Sequence, residues 1–254
     1  TENGDERLSE FFLGMINDIR SEAPENTDIV GISFSLPGVV DEQNKKWIFS
    51  LSRWKKAWNI ELSEIMEKTG LNVILNKNLN CELRARIARL AKPSDKNLVL
   101  IHWGHGIGVS CSLNGAILTS DKGGVGEVGH SYVHSETVEL CRCGLHNCLE
   151  TQAALWALWP KLKEKYPDVP SDEWDFERFL NETEHFDIDT LNVAIRQMAV
   201  TMRNLALVLA PQHIVLTGPF TQNQEVFRRL CDEYAKLLPP DLNRAAHNKV
   251  TVAA

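Results

Sequence analysis

One short window of the sequence holds four side chains that can ligate a metal ion. His130 is followed by ten residues and Cys141, then by one residue and Cys143, then by four residues and Cys148. A tetrahedral zinc ion takes four thiolate or imidazole donors at about 2.0 to 2.3 Å, and loops this short can bring the donors to that separation. The spacing therefore predicts a zinc site that fixes the conformation of this part of the chain.

Two other interpretations of these cysteines remain open, a disulfide and free thiols. Cys141 and Cys143 are too close in sequence for an unstrained bridge, and disulfides are uncommon in a reducing cytoplasm. Six cysteines in 254 residues are also too few for a disulfide-stabilised scaffold. We favour zinc. Because protein side chains would fill all four positions, the ion would be structural and would not hydrolyse a substrate.

The composition excludes two classes of protein. Acidic side chains number 34 and basic ones 27, which gives a formal net charge of -7, the opposite of the basic excess that marks a nucleic-acid-binding surface. The most apolar segment, residues 191–210, is interrupted by Arg196, Gln197, Arg203 and Asn204, so it falls short of the roughly 18 uncharged apolar residues that a spanning helix needs. With no secretory signal at the start, we expect a cytoplasmic globular protein with no membrane partner.

Hydrophobic periodicity predicts helices alternating with strands, which is typical of an α/β fold. Asn114-Gly115 indicates a two-residue hairpin turn, and Gly70 indicates the end of a helix. The predicted helices are 5–20, 60–68, 79–90, 149–159, 172–180, 191–209 and 224–237, and the predicted strands are 28–35, 72–75, 99–103, 107–112, 116–118, 213–217 and 250–254.

A polar segment with a proline, KPSDK at residues 92–96, separates two series of elements. We therefore divide the chain into an N-terminal lobe, residues 1–96, and a C-terminal lobe, residues 97–254, which carries the zinc loop. The sequence begins with Thr1 instead of methionine and ends inside a predicted strand. We expect further chain on both sides.

The residues around the metal window resemble the zinc signature of the ROK family, which comprises sugar-responsive repressors and sugar kinases. The family pattern is G-E-x-G-H followed by C-x-C-G-x-x-G-C-x-E, and this chain has GEVGH at residues 126–130 and CRCGLHNCLE at residues 141–150. Asn147 stands where the family prefers glycine, a mild departure because asparagine tolerates the left-handed backbone better than most residues.

Further matches run along most of the chain. LPGVVD at residues 36–41 resembles the family's P-G-x-V-D turn, GHGIG at residues 104–108 its second phosphate loop, and IVLTG at residues 214–218 its adenosine-side strand and turn. The resemblance implies an actin-like, or sugar-kinase (ribonuclease H-like), fold of two α/β lobes with a ligand cleft between them. It also implies a first strand with a D-x-G-G-T loop before Thr1, a last helix after Ala254 and, in repressors, a winged helix-turn-helix further upstream.

The resemblance also bears on catalysis. The family's kinases use the aspartate of an E-N-D-x-N run as general base, and the corresponding run here is NKNLN at residues 76–80. Asn78 takes the place of the base, and an amide cannot accept a proton at neutral pH; losing a general base typically costs about 10² to 10⁴ in rate. No aspartate occurs between Asp41 and Asp95, so a shifted alignment does not restore the base.

Two more substitutions agree with a loss of kinase activity. Lys77 replaces an asparagine that touches the sugar in the family, and His105 replaces the threonine of the phosphate loop. We therefore expect no phosphoryl transfer, no catalytic residue, and zinc but not ATP as a cofactor.

By resemblance, three residues would lie around the hydroxyl groups of a hexose: Glu127, His130 and Glu150. Gly38, Lys77 and Asn78 complete the predicted ligand-binding set. The two glutamates could instead be acidic residues at helix starts, where the helix dipole favours them. The Lys77 ammonium, if it lies near the carboxylates of Glu127 and Glu150, could fill the pocket with ion pairs. We therefore hypothesise that the pocket binds an anionic or otherwise unusual sugar, or none.

These inferences predict a non-catalytic sugar-sensing and oligomerisation domain of a ROK-type transcriptional regulator. Its small-molecule partner would be a sugar or sugar phosphate, and DNA would be bound only by a domain outside this sequence. The sugar-sensing domain would act as a homodimer or higher homo-oligomer, in which ligand binding shifts the population of lobe arrangements. Two alternatives remain. One is an ATP-dependent hexose or N-acetylhexosamine kinase of the same family, and the other is a zinc-stabilised scaffold that binds a protein partner and no small molecule.

Overall fold

The computed structural model describes residues 3–50, 58–90, 96–238 and 249–252, with side chains from Leu8 onward. The chain divides into two compact units, Thr1–Glu82 with Thr119–Val125, and Leu83–Leu118 with Gly126–Ala254. Most of the polar segment at 92–96 lies outside the described residues, and the lobe boundary between 96 and 97 stays a prediction. The return of Thr119–Val125 to the first unit was not expected from the sequence.

The first unit contains two small sheets. Its strands are β1 (Gly31–Leu36), β2 (Val39–Asp41), β3 (Lys46–Phe49), β4 (Trp58–Glu61) and β5 (Asn72–Lys77), and its helices are α1 (Asn3–Glu22), α2 (Ser63–Thr69) and the start of α3 (Asn78–Arg89). β1 and β5 pair in parallel, whereas β2, β3 and β4 form an antiparallel sheet. Trp47, Ile60 and Val73 are fully or almost fully buried in the core of this unit.

The helix predicted at 60–68 starts too early. Ile60 lies in β4 opposite Trp47 of β3, and burial of both side chains holds this stretch in the sheet, so the helix begins at Ser63. Its predicted end is confirmed, since Gly70 has a φ of 70° and its N–H donates to the Met66 carbonyl at 2.9 Å. Apolar side chains alone did not distinguish a buried strand from a first helical turn.

The second unit is built on a five-stranded sheet. Its strands are β6 (Leu98–Trp103), β7 (Ile107–Leu113), β8 (Ala116–Ile117), β9 (His213–Thr217) and β10 (Lys249–Val252), in the order β10-β9-β6-β7-β8. β6, β9 and β10 run parallel, and β7 and β8 are antiparallel to their neighbours. The hairpin turn is confirmed by positive φ values at Asn114 and Gly115. The last two residues of the strand predicted at 250–254 lie outside the described residues.

Within the described ranges, this unit also contains the α-helices α4 (Leu149–Ala153), α5 (Leu155–Lys165), α6 (Glu173–Glu182), α7 (Asn192–Leu209) and α8 (Gln224–Leu237). One core joins them to the sheet, and it includes the stacked rings of Trp103 and Phe220, whose centroids are 4.6 Å apart. Among the described residues, no helix combines the length and apolarity needed to cross a membrane.

The single helix predicted at 149–159 is in fact two helices. Ala154 has an extended backbone with a ψ of 146°, and the N–H of Leu155, at the start of α5, donates to the Gly104 carbonyl at 2.9 Å. The chain therefore bends at Ala154 so that α5 begins against the turn between β6 and β7. This bend lies in the chain between Glu150 on α4 and Trp156 on α5, two residues of the candidate site.

The turn at Gly38 gives a direct test of backbone strain. Gly38 has a φ of 81°, and a Cβ there would lie 2.3 Å from the Phe49 carbonyl oxygen. We expect Gly38→Ala to lower the free energy of unfolding by about 2 kcal/mol or more, as measured by urea denaturation. Gly14→Ala is the control, because Gly14 lies in α1 with nothing within 4 Å of its Cβ position, and it should gain about 0.5 to 1 kcal/mol. Equal effects would contradict the prediction.

Candidate functional site

The four predicted metal ligands converge in the second unit. Their donor atoms all lie within 4.8 Å of one another, with 3.6 Å between Cys143 Sγ and Cys148 Sγ and 3.6 Å between Cys141 Sγ and His130 Nδ1. Two thiolates held at 2.3 Å by one tetrahedral ion are about 3.8 Å apart, so these separations fit such an ion. None of the six cysteines, all of which lie among the described residues, forms a disulfide. The cluster could therefore hold a metal ion.

A tight turn brings the first two cysteines together. The Cys141 carbonyl accepts the Gly144 N–H at 2.9 Å, and the Cys141 N–H donates to the Leu145 carbonyl at 2.8 Å. Gly144 has a φ of 88°, which glycine adopts without steric cost. Cys148 then pairs with Tyr132 in an antiparallel bridge, so the third cysteine is fixed beside the segment that follows His130.

Asn147 has the backbone conformation expected from the sequence. Its φ is 54°, in the left-handed region that asparagine tolerates. The side chain also makes a contact that a glycine could not make, because Oδ1 accepts the Glu139 N–H at 2.9 Å. The Asn147 N–H donates to the Glu139 carbonyl, also at 2.9 Å. The departure from the family pattern thus adds a hydrogen bond across residues 130–148, the segment of the predicted metal ligands, which we call the metal loop.

Two thiols of the cluster, those of Cys141 and Cys148, have raised pKa values, which favours their protonated form when no cation is bound. Burial raises the pKa of Cys141. Burial, followed by hydrogen bonds with the neighbouring cysteines, raises the pKa of Cys148 well above its ordinary value. A bound divalent cation displaces these protons, because it binds the thiolate and not the thiol. Occupancy of the cluster will therefore fall as pH falls.

Glu150 is buried next to the metal loop, and the protein itself supplies donors to both of its carboxylate oxygens. Oε1 accepts the Ile107 N–H at 2.9 Å and Oε2 accepts the Trp156 Nε1–H at 2.9 Å. Gly129, inside the G-E-x-G-H motif, allows this approach: a Cβ there would lie 2.4 Å from the Ile107 carbonyl oxygen and 2.9 Å from Glu150 Oε1. Glu150 therefore has a structural role that the sequence did not reveal.

Arg142, which stands between two of the cysteines, reaches out of the metal loop. Its guanidinium carbon lies 4.5 Å from the centroid of a Trp156 ring, a cation–π distance, and NH1 lies 2.9 Å from His105 Nε2. Partial burial of the guanidinium lowers the pKa of Arg142, and the nearby Glu150 carboxylate opposes that shift. Arg142 therefore connects the metal loop to the turn that follows β6.

That turn, Gly104–Gly106, also meets a second glutamate. The His105 N–H donates to Glu173 Oε1 at 2.5 Å, and His102 Nε2 lies 3.4 Å from the same oxygen. Glu173 is the first residue of α6 and stands 68 positions from His105 in sequence. Glu173, Arg142 and Trp156 were not among the site residues predicted from the sequence, and only the CxC motif around Arg142 gave any signal.

Three of the six predicted ligand-binding residues lie in the first unit, namely Gly38, Lys77 and Asn78. Lys77 is buried, and its Nζ donates to the Val125 carbonyl at 2.9 Å. Asn78 opens α3 and its Oδ1 accepts the Leu79 N–H at 2.9 Å. The Lys77 ammonium therefore has a backbone partner within its own unit.

The other three, Glu127, His130 and Glu150, lie in the second unit. Glu127 and His130 are joined by a 3-10 turn in which the His130 N–H donates to the Glu127 carbonyl at 3.1 Å. Gly129 of this turn packs on Glu150. The structure thus brings the three predicted sugar contacts of this unit together beside the metal ligands.

Comparison with known proteins gives a family and a fold. The ROK family model matches residues 1–254. The xylose repressor of Bacillus subtilis (strain 168) is 23% identical over 262 residues, which cover 96% of this chain and 66% of the repressor; the chain thus spans just under two thirds of that relative.

Two solved structures show the same fold. A ROK family transcriptional regulator, a homolog of the E. coli MLC protein, has a TM-score of 0.78 and 20% identity, covering 98% of this chain and 64% of that one. A ROK family glucokinase from Streptomyces griseus, in complex with glucose and AMPPNP, has a TM-score of 0.74 and 18% identity. The match covers 96% of this chain and 83% of the glucokinase. The α/β fold predicted from the sequence, of the actin-like, sugar-kinase class, is confirmed.

Proposed function

Because this chain belongs to the ROK family, whose model spans residues 1–254, we propose that it is the non-catalytic, sugar-sensing part of a transcriptional regulator of that family. Repressor and kinase relatives share the fold, so the choice between the two activities rests on side chains. The chain would hold a ligand and transmit its binding to other parts of the protein.

The observation that carries this proposal is the amide at position 78. Phosphoryl transfer to a sugar needs a group that takes the proton from the attacking hydroxyl. Asn78 Oδ1 is a neutral oxygen that accepts the Leu79 N–H, and a neutral amide does not take up that proton at physiological pH. The position that holds the base in the family's kinases is therefore chemically inert here.

The ligand we propose is a sugar, in keeping with the xylose repressor among the relatives. Glu127, His130 and Glu150 of the second unit would contact it. Because each Glu150 oxygen already accepts one protein N–H, a sugar hydroxyl would use the remaining lone pairs of the carboxylate. In this proposal Glu150 has both a positioning role and a binding role.

We assign the metal cluster to structural zinc, held by His130, Cys141, Cys143 and Cys148. Three sulfurs and one imidazole nitrogen are the donors that zinc prefers. With Nδ1 facing Cys141 Sγ, metal binding would leave Nε2 of His130 as the nitrogen available to a ligand. The ion supplies no bond-breaking chemistry in this assignment.

Further parts of the proposal concern the assembled protein. DNA would be bound by a domain outside this sequence, and the regulator would act as a homodimer or higher homo-oligomer in the cytoplasm, where free thiols persist. A ligand changes such an equilibrium only by binding one conformation more tightly than another. Sugar binding would therefore favour one arrangement of the oligomer.

The test is a coupled assay for ADP release over a panel of neutral, amino and acidic sugars, combined with calorimetry of the same sugars. We expect the wild-type protein to bind at least one sugar and to release no ADP above the sugar-free background. Asn78→Asp should bind the same sugar and also release no ADP. In this variant His105 still replaces the family's threonine in the turn after β6, and its N–H still donates to Glu173. Sugar-dependent turnover by wild type would refute the proposal.

The likeness to a glucokinase, with a TM-score of 0.74, keeps an ATP-dependent sugar kinase as the second candidate. The same assay separates the two. A kinase would show saturable ADP release with one sugar and would lose it on mutation of its base. Absence of both turnover and sugar binding would instead favour the protein-binding scaffold.

A further inference from the structure

The turn Gly104–Gly106, which we call the glycine turn, joins β6 to β7, and two carboxylates accept N–H groups from the turn and from the residue after it. The His105 N–H donates to Glu173 Oε1, and the N–H of Ile107, just after the turn, donates to Glu150 Oε1. Backbone N–H groups of glycine-rich turns form concave sites that attract anions. Here the anions come from the chain itself, from the starts of α4 and α6.

The glycines are needed where the carboxylates approach. A Cβ on Gly104 would lie 2.6 Å from Glu173 Oε1, and one on Gly106 would lie 2.9 Å from Glu150 Oε1. The two carboxylates differ in exposure, because Glu150 is buried whereas 26% of the Glu173 side chain is exposed. An anion from solvent would therefore meet Glu173 first.

We propose that Glu173 is a built-in anion that occupies a phosphate-binding position on the glycine turn and so excludes nucleotide phosphates from it. This inference rests on the proposed function, since a kinase would need such a turn for its nucleotide. A phosphate group approaching the His105 N–H finds that donor engaged and a like charge beside it, which disfavours binding. Glu173 thereby acts as a specificity-determining residue.

Removing the carboxylate should turn the glycine turn into a phosphate site. Glu173→Ala frees the His105 N–H and the space next to Gly104, while the Arg142 guanidinium stays bonded to His105 Nε2. A backbone N–H and a nearby cation are both favourable to phosphate. The gain of one charge-assisted hydrogen bond corresponds to about tenfold or more in affinity.

The experiment is calorimetric titration of inorganic pyrophosphate and of ADP into the metal-loaded full chain. We expect Glu173→Ala to bind both at least about tenfold more tightly than wild type. Glu173→Gln keeps the size of the side chain but removes its charge, and its affinity should lie between those of wild type and Glu173→Ala. Glu177→Ala is the matched control, a loss of the same charge one turn further along α6, and it should behave as wild type.

Each other outcome is decisive. Equal binding by wild type and Glu173→Ala, or no binding by any variant, overturns the inference. If Glu173→Ala does not fold by circular dichroism, Glu173→Gln decides in its place. If wild type bound ADP as tightly as Glu173→Ala does, without sugar-dependent ADP release, this inference alone would be overturned, whereas such release would overturn the proposed function as well.

Discussion

Replacing Cys148 by alanine will abolish metal binding and lower the stability of the second unit by about 3 kcal/mol or more. The binding free energy of a structural zinc ion is itself folding free energy, and three remaining donors hold it far less tightly. Cys148 is also buried and immediately precedes α4, so its loss disturbs the start of the helix that carries Glu150. Zinc content by mass spectrometry and the melting temperature will show both effects.

Cys231→Ala is the matched control for this change. Cys231 is a partly buried cysteine on α8 and lies outside the cluster. We expect it to retain one zinc per chain and to lose only about 1 kcal/mol, the cost of a small cavity. A chelator should lower the melting temperature of wild type and of Cys231→Ala, but not that of Cys148→Ala. A wild-type melting curve unaffected by chelator would show that no structural metal is bound.

Replacing Glu150 by alanine will destabilise the same unit by about 2 to 4 kcal/mol and abolish sugar binding. The change leaves the Ile107 N–H and the Trp156 Nε1–H without their acceptor in a buried site, and each unsatisfied buried donor costs about 1 to 3 kcal/mol. Glu150→Gln retains one acceptor oxygen and should lose less stability. Urea denaturation and sugar calorimetry measure the two effects separately.

Two other glutamates serve as controls for Glu150. Glu136 is exposed on the segment before the cysteines, and Glu136→Ala should change stability by less than about 0.5 kcal/mol and leave sugar affinity unchanged. Glu127→Ala should weaken sugar binding with little loss of stability, because Glu127 is only partly buried. If Glu150→Ala bound sugar as wild type does, Glu150 would have the positioning role alone.

Locally encoded features could be predicted from the sequence. The spacing of His130, Cys141, Cys143 and Cys148 identified a cluster that the structure brings within 4.8 Å, because short loops leave the donors little freedom. The left-handed backbone at Asn147 and the helix end at Gly70 were also predicted correctly. At Asn147 and Gly70 the signal is a residue type that tolerates the left-handed backbone conformation.

Contacts between distant segments could not be read from the sequence. The Glu173 carboxylate meets the His105 N–H across 68 positions, and the Lys77 ammonium meets the Val125 carbonyl across 48. The bend at Ala154 likewise follows from the contact of Leu155 with Gly104.

The sequence alone therefore determined the family, the α/β class and the His/Cys cluster that could hold a metal ion, because local motifs and periodicities encode all three. Only the tertiary structure decided that Glu150 is bound by two protein donors and that Glu173 faces the glycine turn. The physical reason is that a hydrogen bond between remote groups depends on how helices pack on the sheet. That packing results from many apolar contacts summed over the core, and no single sequence motif encodes it.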